Sequence, residues 1–478
     1  MKSPSFKLDP RVAIIELRDY ADDLVADALE RAAQSLGWSG EERGPLSSAV
    51  TPDARVLIKP NWVMHENHGP WSIEPLVTHA SFIRAAVEAA LRAGASQVLV
   101  GDAPLQGCDF DQLIAVTGLE QWANDLMKRE PRFKGLRDFR RTTCVFVDGI
   151  RVASEDQAPV DQFVLFDLGR ESLLEPITGE SDSFRVTCYD PRLLAKTHAP
   201  GRHQYLVARA IIEADVVINL PKLKTHKKAG VTCALKNLIG INGNKEYLPH
   251  HRIGGSATGG DCYPGGSPIK LALEHTLDRK NMTNSMAAGR LWQTVATQLE
   301  RAAHLMGDRV GVEGSWPGND TIWRTCLDLN RILLYGRTDA SLADAPQRRV
   351  FHLVDAVVAG QGDGPLAPEP LPLGFMLAGE TAAAVDWVSA QLLGYDPQQI
   401  PIAREAFGEF AWPLASFGHE AVELVGDAGA GAADELLQSR DIGTDVNYPI
   451  AWRDSARNSG NTHLVRGGYA AGSAALSS

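Results

Sequence analysis

Two stretches decide the fold: RVLIKPN at 55–61 and THASFIRAAVEAALRAGASQVLVGD at 78–102. Val56, Leu57 and Ile58 form a short apolar run of buried-strand type, and Val98, Leu99 and Val100 form another. Between them Phe82, Ile83, Ala86, Ala90 and Leu91 recur at helical intervals, and Gly94 supplies a stop. Strand, amphipathic helix, strand is the order of a crossover between parallel strands. In open parallel sheets ligands bind beyond the carboxyl ends of the strands. Lys59 and Asn61 at one strand end, and Asp102 at the next, are therefore the first candidates for chemistry.

The same reading extends outward. Arg11–Leu17 is expected to be a strand, Asp22–Leu36 a helix, Tyr205–Ile212 helical, and Asp215–Asn219 a strand ending in a charged loop. Gly243–Pro268, rich in glycine and poor in apolar residues, reads as a long loop of the kind that serves as a lid. Helical patterns follow at 269–277, 285–306 and 319–334, then a strand at 349–354, a Gly/Pro-rich stretch at 360–372, a strand at 374–379, a helix at 381–393 and a last strand at 421–425. The end, 467–478, has the composition of a flexible tail. The expected class is α/β, with mostly parallel sheets and flanking helices, two lobes around a cleft, and a helical insertion. The expected partition is an N-terminal α/β lobe (1–240), the glycine-rich loop and helical insertion (241–345), a second α/β portion completing the core (346–430) and a partly flexible tail (431–478).

Composition narrows the function. The 478 residues are 44% hydrophobic and 22% charged, ordinary globular usage. Lys plus Arg is 47 against 59 for Asp plus Glu, a formal charge of -12, which argues against nucleic acid or an anionic membrane as partner. No secretory h-region follows Met1, and no apolar run reaches membrane-spanning length, so a cytoplasmic location is expected. The six cysteines include no C-x-x-C pair, so no iron–sulfur cluster or local zinc motif is expected, only reduced thiols.

Lys222-Leu223-Lys224-Thr225-His226-Lys227-Lys228 places four lysines and a histidine in seven residues of a net-acidic chain, directly after a buried strand, with Lys236-Asn237 close behind. Such a cluster is either a solvated loop or an anion site. Gly360-Gln361-Gly362-Asp363-Gly364-Pro365 follows Asp355; its glycines suit an anion-binding turn, but no helix opens after them, so NAD is not expected. Asp386 sits on an otherwise apolar helical pattern and needs a buried partner. His65 and His68, His250-His251-Arg252, a helix start at Asn319-Asp320-Thr321, and Asp328 flanked by Arg324 and Arg331 rank lower.

Together IKPNW (58–62), VTH (77–79), the aspartate after VLVG, INLPKLKTHKKAGVTCALKNLIG (218–240), GNDTIWRTCLDLNRIL (318–333), VDAVVAGQGDGP (354–365) and AAAVD (382–386) resemble the domain-of-unknown-function family 362, over residues 55–425. Many members carry an appended ferredoxin-like segment whose cluster-binding cysteines are missing here, and Glu380-Thr381 stands where relatives often have Asp-Pro. The family is distantly similar in fold to lactate racemase-like proteins, which host a nickel-pincer cofactor; that analogy carries no function. The expected function is an enzyme acting on a small carboxylate- or phosphate-bearing molecule, with hydrolysis, isomerisation and group transfer all open. A non-catalytic anion or metal carrier and a redox partner protein are the alternatives. His226, Asp102 and Lys236 are the expected catalytic residues, and Lys59, Asn61, Lys222, Lys224, Asn237, Gly362 and Gly364 the substrate contacts. Asp102, His226, Asp355 and Asp386 are the candidate ligands of a divalent cation, and a homo-oligomer is compatible with the sequence.

Overall fold

The structure, a computed structural model, describes residues 8–40, 43–179, 182–307, 310–439 and 445–455. Its frame is one eleven-stranded sheet. In chain order its strands are β1 (Arg11–Glu16), β2 (Arg55–Pro60), β3 (Gln97–Asp102), β4 (Phe133–Asp138), β5 (Val216–Leu220), β6 (Lys222–His226), β7 (Gly230–Thr232), β8 (Arg349–Gln361), β9 (Glu369–Gly379), β10 (Glu423–Gly426) and β11 (Gly431–Ala432). The spatial order is β11-β10-β1-β9-β8-β5-β2-β3-β4, with β6 branching from β8 and carrying β7. Pairing is parallel through β8-β5-β2-β3-β4, and antiparallel where the β8–β9 hairpin inserts beside β1. The sheet is mostly parallel, and strands from both ends of the chain share it.

Period-two alternation sorts each strand between two faces. Ala13, Ile15, Ile58 and Val100 join one core with the helices α1 (Asp22–Leu36) and α2 (Ala80–Ala93). Val12, Ile14, Val354 and Leu377 turn to the opposite core. Leu57, Leu99 and Val217 face the same way, against the segment 163–212. Gly37 and Gly94 end α1 and α2 in the left-handed conformation, where an L side chain would be strained.

The three helical patterns of the middle differ in place. The helices α3 (Pro268–Asn281) and α4 (Met286–Leu305) pack on each other and on the Thr142–Val147/Ile150–Asp156 hairpin, where Gly289 lies against Ile150. The helix α5 (Ile322–Tyr335) is instead buried at nearly every position, including Asp328 and Arg331. Asn319 caps its start by accepting from the N–H groups of Thr321 and Ile322. The last long helix, α6 (Ala382–Leu392), is buried along nearly its whole length, with Asp386, Ser389 and Gln391 as its polar residues.

Four expectations need correction. Residues 205–208 belong to a strand, Arg202–Ala208, paired with Phe163–Asp167; only Arg209–Ile212 is helical. The lysine–histidine block is a buried strand, β6, rather than a charged loop. Residues 360–361 and 369–372 extend the β8–β9 hairpin, so the Gly/Pro-rich stretch is partly sheet. Gly243–Pro268 is folded into short turns and a strand pairing, with Lys245, Glu246, His251, Asp261 and Cys262 buried. Its polar groups bond into the scaffold: Lys245 Nζ donates to Ala103 O at 2.8 Å, and Thr321 Oγ1 donates to Asp261 at 2.6 Å. The tail 467–478 lies outside the described residues.

Gly101 shows how tightly β3 is covered: an added Cβ would stand 2.2 Å from Phe139 Cζ, inside the core. Gly101→Ala is expected to cost about 1–3 kcal/mol of stability through overpacking. An unchanged urea midpoint would show that the ring moves aside freely.

Candidate functional site

The face carrying Leu57, Val217 and Val350 ends in polar residues. Lys59 of β2, Asn219 of β5 and His352 of β8 stand side by side in register. The short helix Ala234–Asn237 lies against them. Asn237 Nδ2 donates to Asn219 Oδ1 at 2.7 Å, and Asn237 Oδ1 accepts from Asn61 Nδ2 at 2.8 Å and Lys59 Nζ at 3.1 Å. Asn219 Nδ2 donates to Ala234 O and meets His352 Nδ1, both at 3.0 Å. Lys59 completes its shell with Pro60 O at 2.8 Å and Asp102 Oδ1 at 2.7 Å. Asp102 also accepts from the N–H groups of Trp62 and Ala103. Gly240 closes over this ion pair: a Cβ there would fall 1.8 Å from Asp102 Oδ1.

On β6, alternation puts Lys222, Lys224 and His226 on one side and Leu223 in the core on the other. Lys222 and Asp355, both fully buried, form an ion pair of 2.7 Å. Tyr20 ties it off: its hydroxyl donates to Asp355 Oδ1 at 2.8 Å and accepts from Lys222, while its ring stacks on His79. Lys224 has no carboxylate. Among the described residues it donates to Asn61 Oδ1 at 3.0 Å and Leu76 O at 2.6 Å. Burial, then the charges of Lys236 and Lys222, hold its amine well below the usual lysine range.

Lys236 is different again. It is part-exposed and has no hydrogen-bond or ion-pair partner among the described residues, and burial lowers its pKa. Its electrostatic neighbours include Lys224, His226 and His250. His226 is 2% exposed, and its Nδ1 accepts from the N–H groups of Lys228 at 3.0 Å and Ala229 at 3.1 Å. Burial and the neighbouring lysines hold the ring neutral. The proton of a neutral ring whose Nδ1 is an acceptor sits on Nε2, making His226 a hydrogen-bond donor there. His250 has the reverse arrangement: Nδ1 meets Leu248 O at 2.7 Å, so Nε2 is left with the lone pair. The ring is again held neutral by burial and by Lys228 and Lys236.

The sequence-derived candidates are thus only partly brought together. Lys59, Asn61, Asp102, Lys224 and Asn237 form one continuous network, beside which Lys236 and His226 lie. Asp355 is committed to Lys222. Asp386 lies under the Lys236 helix, where Oδ1 accepts from Leu235 N at 3.3 Å and the Cys233 thiol stands against the carboxylate. Asp102, His226, Asp355 and Asp386 therefore do not converge as one set of ligands; the group of three potential ligands that does converge among the described residues is His251, Cys262 and Glu274. The N–H groups of Gly362 and Gly364 are already donated, to Asn447 O and Gly362 O. Gly364 is there for close approach, since a Cβ would stand 2.2 Å from Thr225 O. Arg331 pairs with Asp328 while Arg324 pairs with Asp320, and His65 accepts from Asp109 N. Tyr20 and Lys245 had no sequence signal: a lone tyrosine after a strand and a lysine in a glycine-rich stretch look like surface residues.

A family model described as Domain of unknown function (DUF362) matches residues 56–144 and 164–391. No curated protein is matched. Among solved structures, a crystal structure of a Thermotoga maritima protein is 11% identical, with a TM-score of 0.33; the match covers 78% of this chain and spans 59% of that one.

Two outcomes follow from this geometry. Lys222→Met leaves Asp355 buried without its counter-charge and is expected to cost about 3–5 kcal/mol. Combining it with Asp355→Asn should recover part of that loss; equal losses in chemical denaturation would deny the ion pair any role. Asp386 is pushed up to about 7 by burial, against about 3.9 for an ordinary aspartate. Between these values the folded state holds a proton that the unfolded state has released, so stability falls as pH rises from about 4 to about 7 and levels off above. Asp386→Asn lacks this titration, so its Tm relative to the parent should climb across that window. Parallel Tm curves would contradict it.

Proposed function

Because the chain belongs to the DUF362 family, whose description names no chemistry, its function has to be argued from the site, and we propose an enzyme that binds a small carboxylate- or phosphate-bearing molecule against Lys236. One observation carries this reading: Lys236 presents an amine without a partner among the described residues, beside Lys224, whose hydrogen bonds there go to neutral oxygens. A lysine amine withdrawn from bulk water without a counter-charge gains from a bound anion, which restores its charge. Lysine binds carboxylate or phosphate as a point charge.

Around that anion the two histidines divide the work. His226, with its proton on Nε2 and Nδ1 fixed by two backbone N–H groups, donates a hydrogen bond to an oxygen that gains charge. His250, with its lone pair on Nε2, accepts a proton. The Lys59–Asp102–Asn237 network takes no part in proton transfer; it fixes the backbone from which Lys236 projects. The reaction class is proton transfer next to a bound anionic group, which serves isomerisation, hydrolysis or group transfer alike.

Thermal unfolding in the presence of inorganic phosphate and of oxalate tests the anion site. A probe at about 100 times its Kd should add about 2.7 kcal/mol of stability to the parent. Lys236→Met should remove most of that gain while keeping the circular dichroism of the fold. His226→Asn, whose amide oxygen can take over the two N–H bonds, should keep it within a few-fold. Equal stabilisation of parent and Lys236→Met would overturn the assignment.

A further inference from the structure

A second cluster adjoins the segment that carries His250. His251, Cys262 and Glu274 are each buried, and one ligand atom from each lies within 4.8 Å of the others. His251 comes from the pairing of His251–Arg252 with Phe184–Arg185, Cys262 from the turn ten residues on, and Glu274 from α3. Side chains so far apart in sequence meet there without forming a closed hydrogen-bond set. The His251 ring is 4% exposed, and its Nδ1 is fully buried with no partner. Among the described residues the Glu274 carboxylate accepts from Gly254 N, at 3.1 Å to each oxygen, and from the Cys262 thiol. A cavity of about 60 Å³ opens against His251 and Glu274, with Cys188 in its wall.

We propose that His251, Cys262 and Glu274 are three ligands of a divalent transition-metal ion, zinc by the nature of the donors, with the fourth position facing the cavity. Nitrogen, thiolate and carboxylate together suit zinc, and a mixed set of three with an open position is the pattern of accessible rather than fully closed zinc sites. The charges balance. Binding releases one proton from the Cys262 thiol, and one from Glu274 where it is protonated; thiolate and carboxylate then cancel the two charges of the ion. The nearby cations do not oppose it, because Arg185 is paired with Asp278 at 3.0 Å and Lys228 with Glu313 at 3.8 Å. The assignment does not depend on what binds at Lys236.

The test uses the full chain, stripped with chelator and reloaded with zinc or cobalt(II). The expected result is one zinc per chain after dialysis, and in the cobalt form a thiolate-to-metal charge-transfer band. Cys262→Ser should lose the band, and His251→Ala should weaken zinc binding by about 100-fold or more, beyond the 10–100-fold typical of losing an outer partner. A parent protein that retains no stoichiometric zinc overturns the proposal, as does a band that survives in Cys262→Ser. Should those variants fail to fold, the isosteric Glu274→Gln replaces them, and parent-like zinc affinity in it would overturn the site. X-ray absorption of the zinc-loaded parent without a sulfur scatterer would do the same.

Discussion

The arrangement depends on a single constraint: ammonium groups are buried where the parallel strands end, and carboxylates are too few to match them. Lys59, Lys222 and Lys224 are all buried within one neighbourhood, and Lys236 is close by. Asp102 serves Lys59 and Asp355 serves Lys222. Among the described residues the other two lysines are left with neutral oxygens or none. Taking an ion out of water costs several kcal/mol even after relaxation, so the scaffold must hold these groups by other means. Asn61, Asn219 and Asn237 do that, as a chain of amides that orients donors without adding charge. The unmatched remainder is where a ligand gains most.

Once the cations are buried, the backbone around them has little freedom. Gly240 has to be glycine because the Lys59–Asp102 pair occupies the space of its side chain. Gly360 and Gly364 are confined in the same way by Lys224 Cβ and Thr225 O. Glycines that look in the sequence like a phosphate-binding turn are here the means by which β6 and the β8–β9 hairpin approach each other.

Much of the frame was legible in the sequence because apolar periodicity decides it. The runs at 55–58 and 97–100 and the helix between them are found where expected. The strand β6 was not legible as a strand: its inward residues are Lys222, Lys224 and His226, so the usual apolar signal is inverted. Residues 205–208 look helical in the sequence because Tyr205, Leu206 and Val207 form a run that fits a buried helix as well as a strand. Asp386 was legible as a buried carboxylate, but not its place beneath the Lys236 helix. The tautomer of His226 was beyond any pattern, since it is set by two N–H groups two and three residues further on. The cluster at His251 was hidden because its members come from separate turns and a helix, with no local spacing of the kind that marks a metal motif.

His250 and His251 show how the two halves of the molecule bear on each other. His250 neighbours Lys236 and His226, His251 meets Cys262 and Glu274, and both rings feel the charge of Lys228. Whatever fixes one ring fixes the backbone of the other. An ion held by His251 would tie its pairing with Phe184–Arg185, the turn at Cys262 and α3 to one point, and with them the orientation of the neighbouring imidazole. A proton acceptor must be held within about 0.5 Å of its working position to be effective, and a peptide of short turns does not provide that by itself. Coupling of this kind gives a reason for a chain without a cluster-binding cysteine motif to keep a buried thiol beside a histidine and a glutamate.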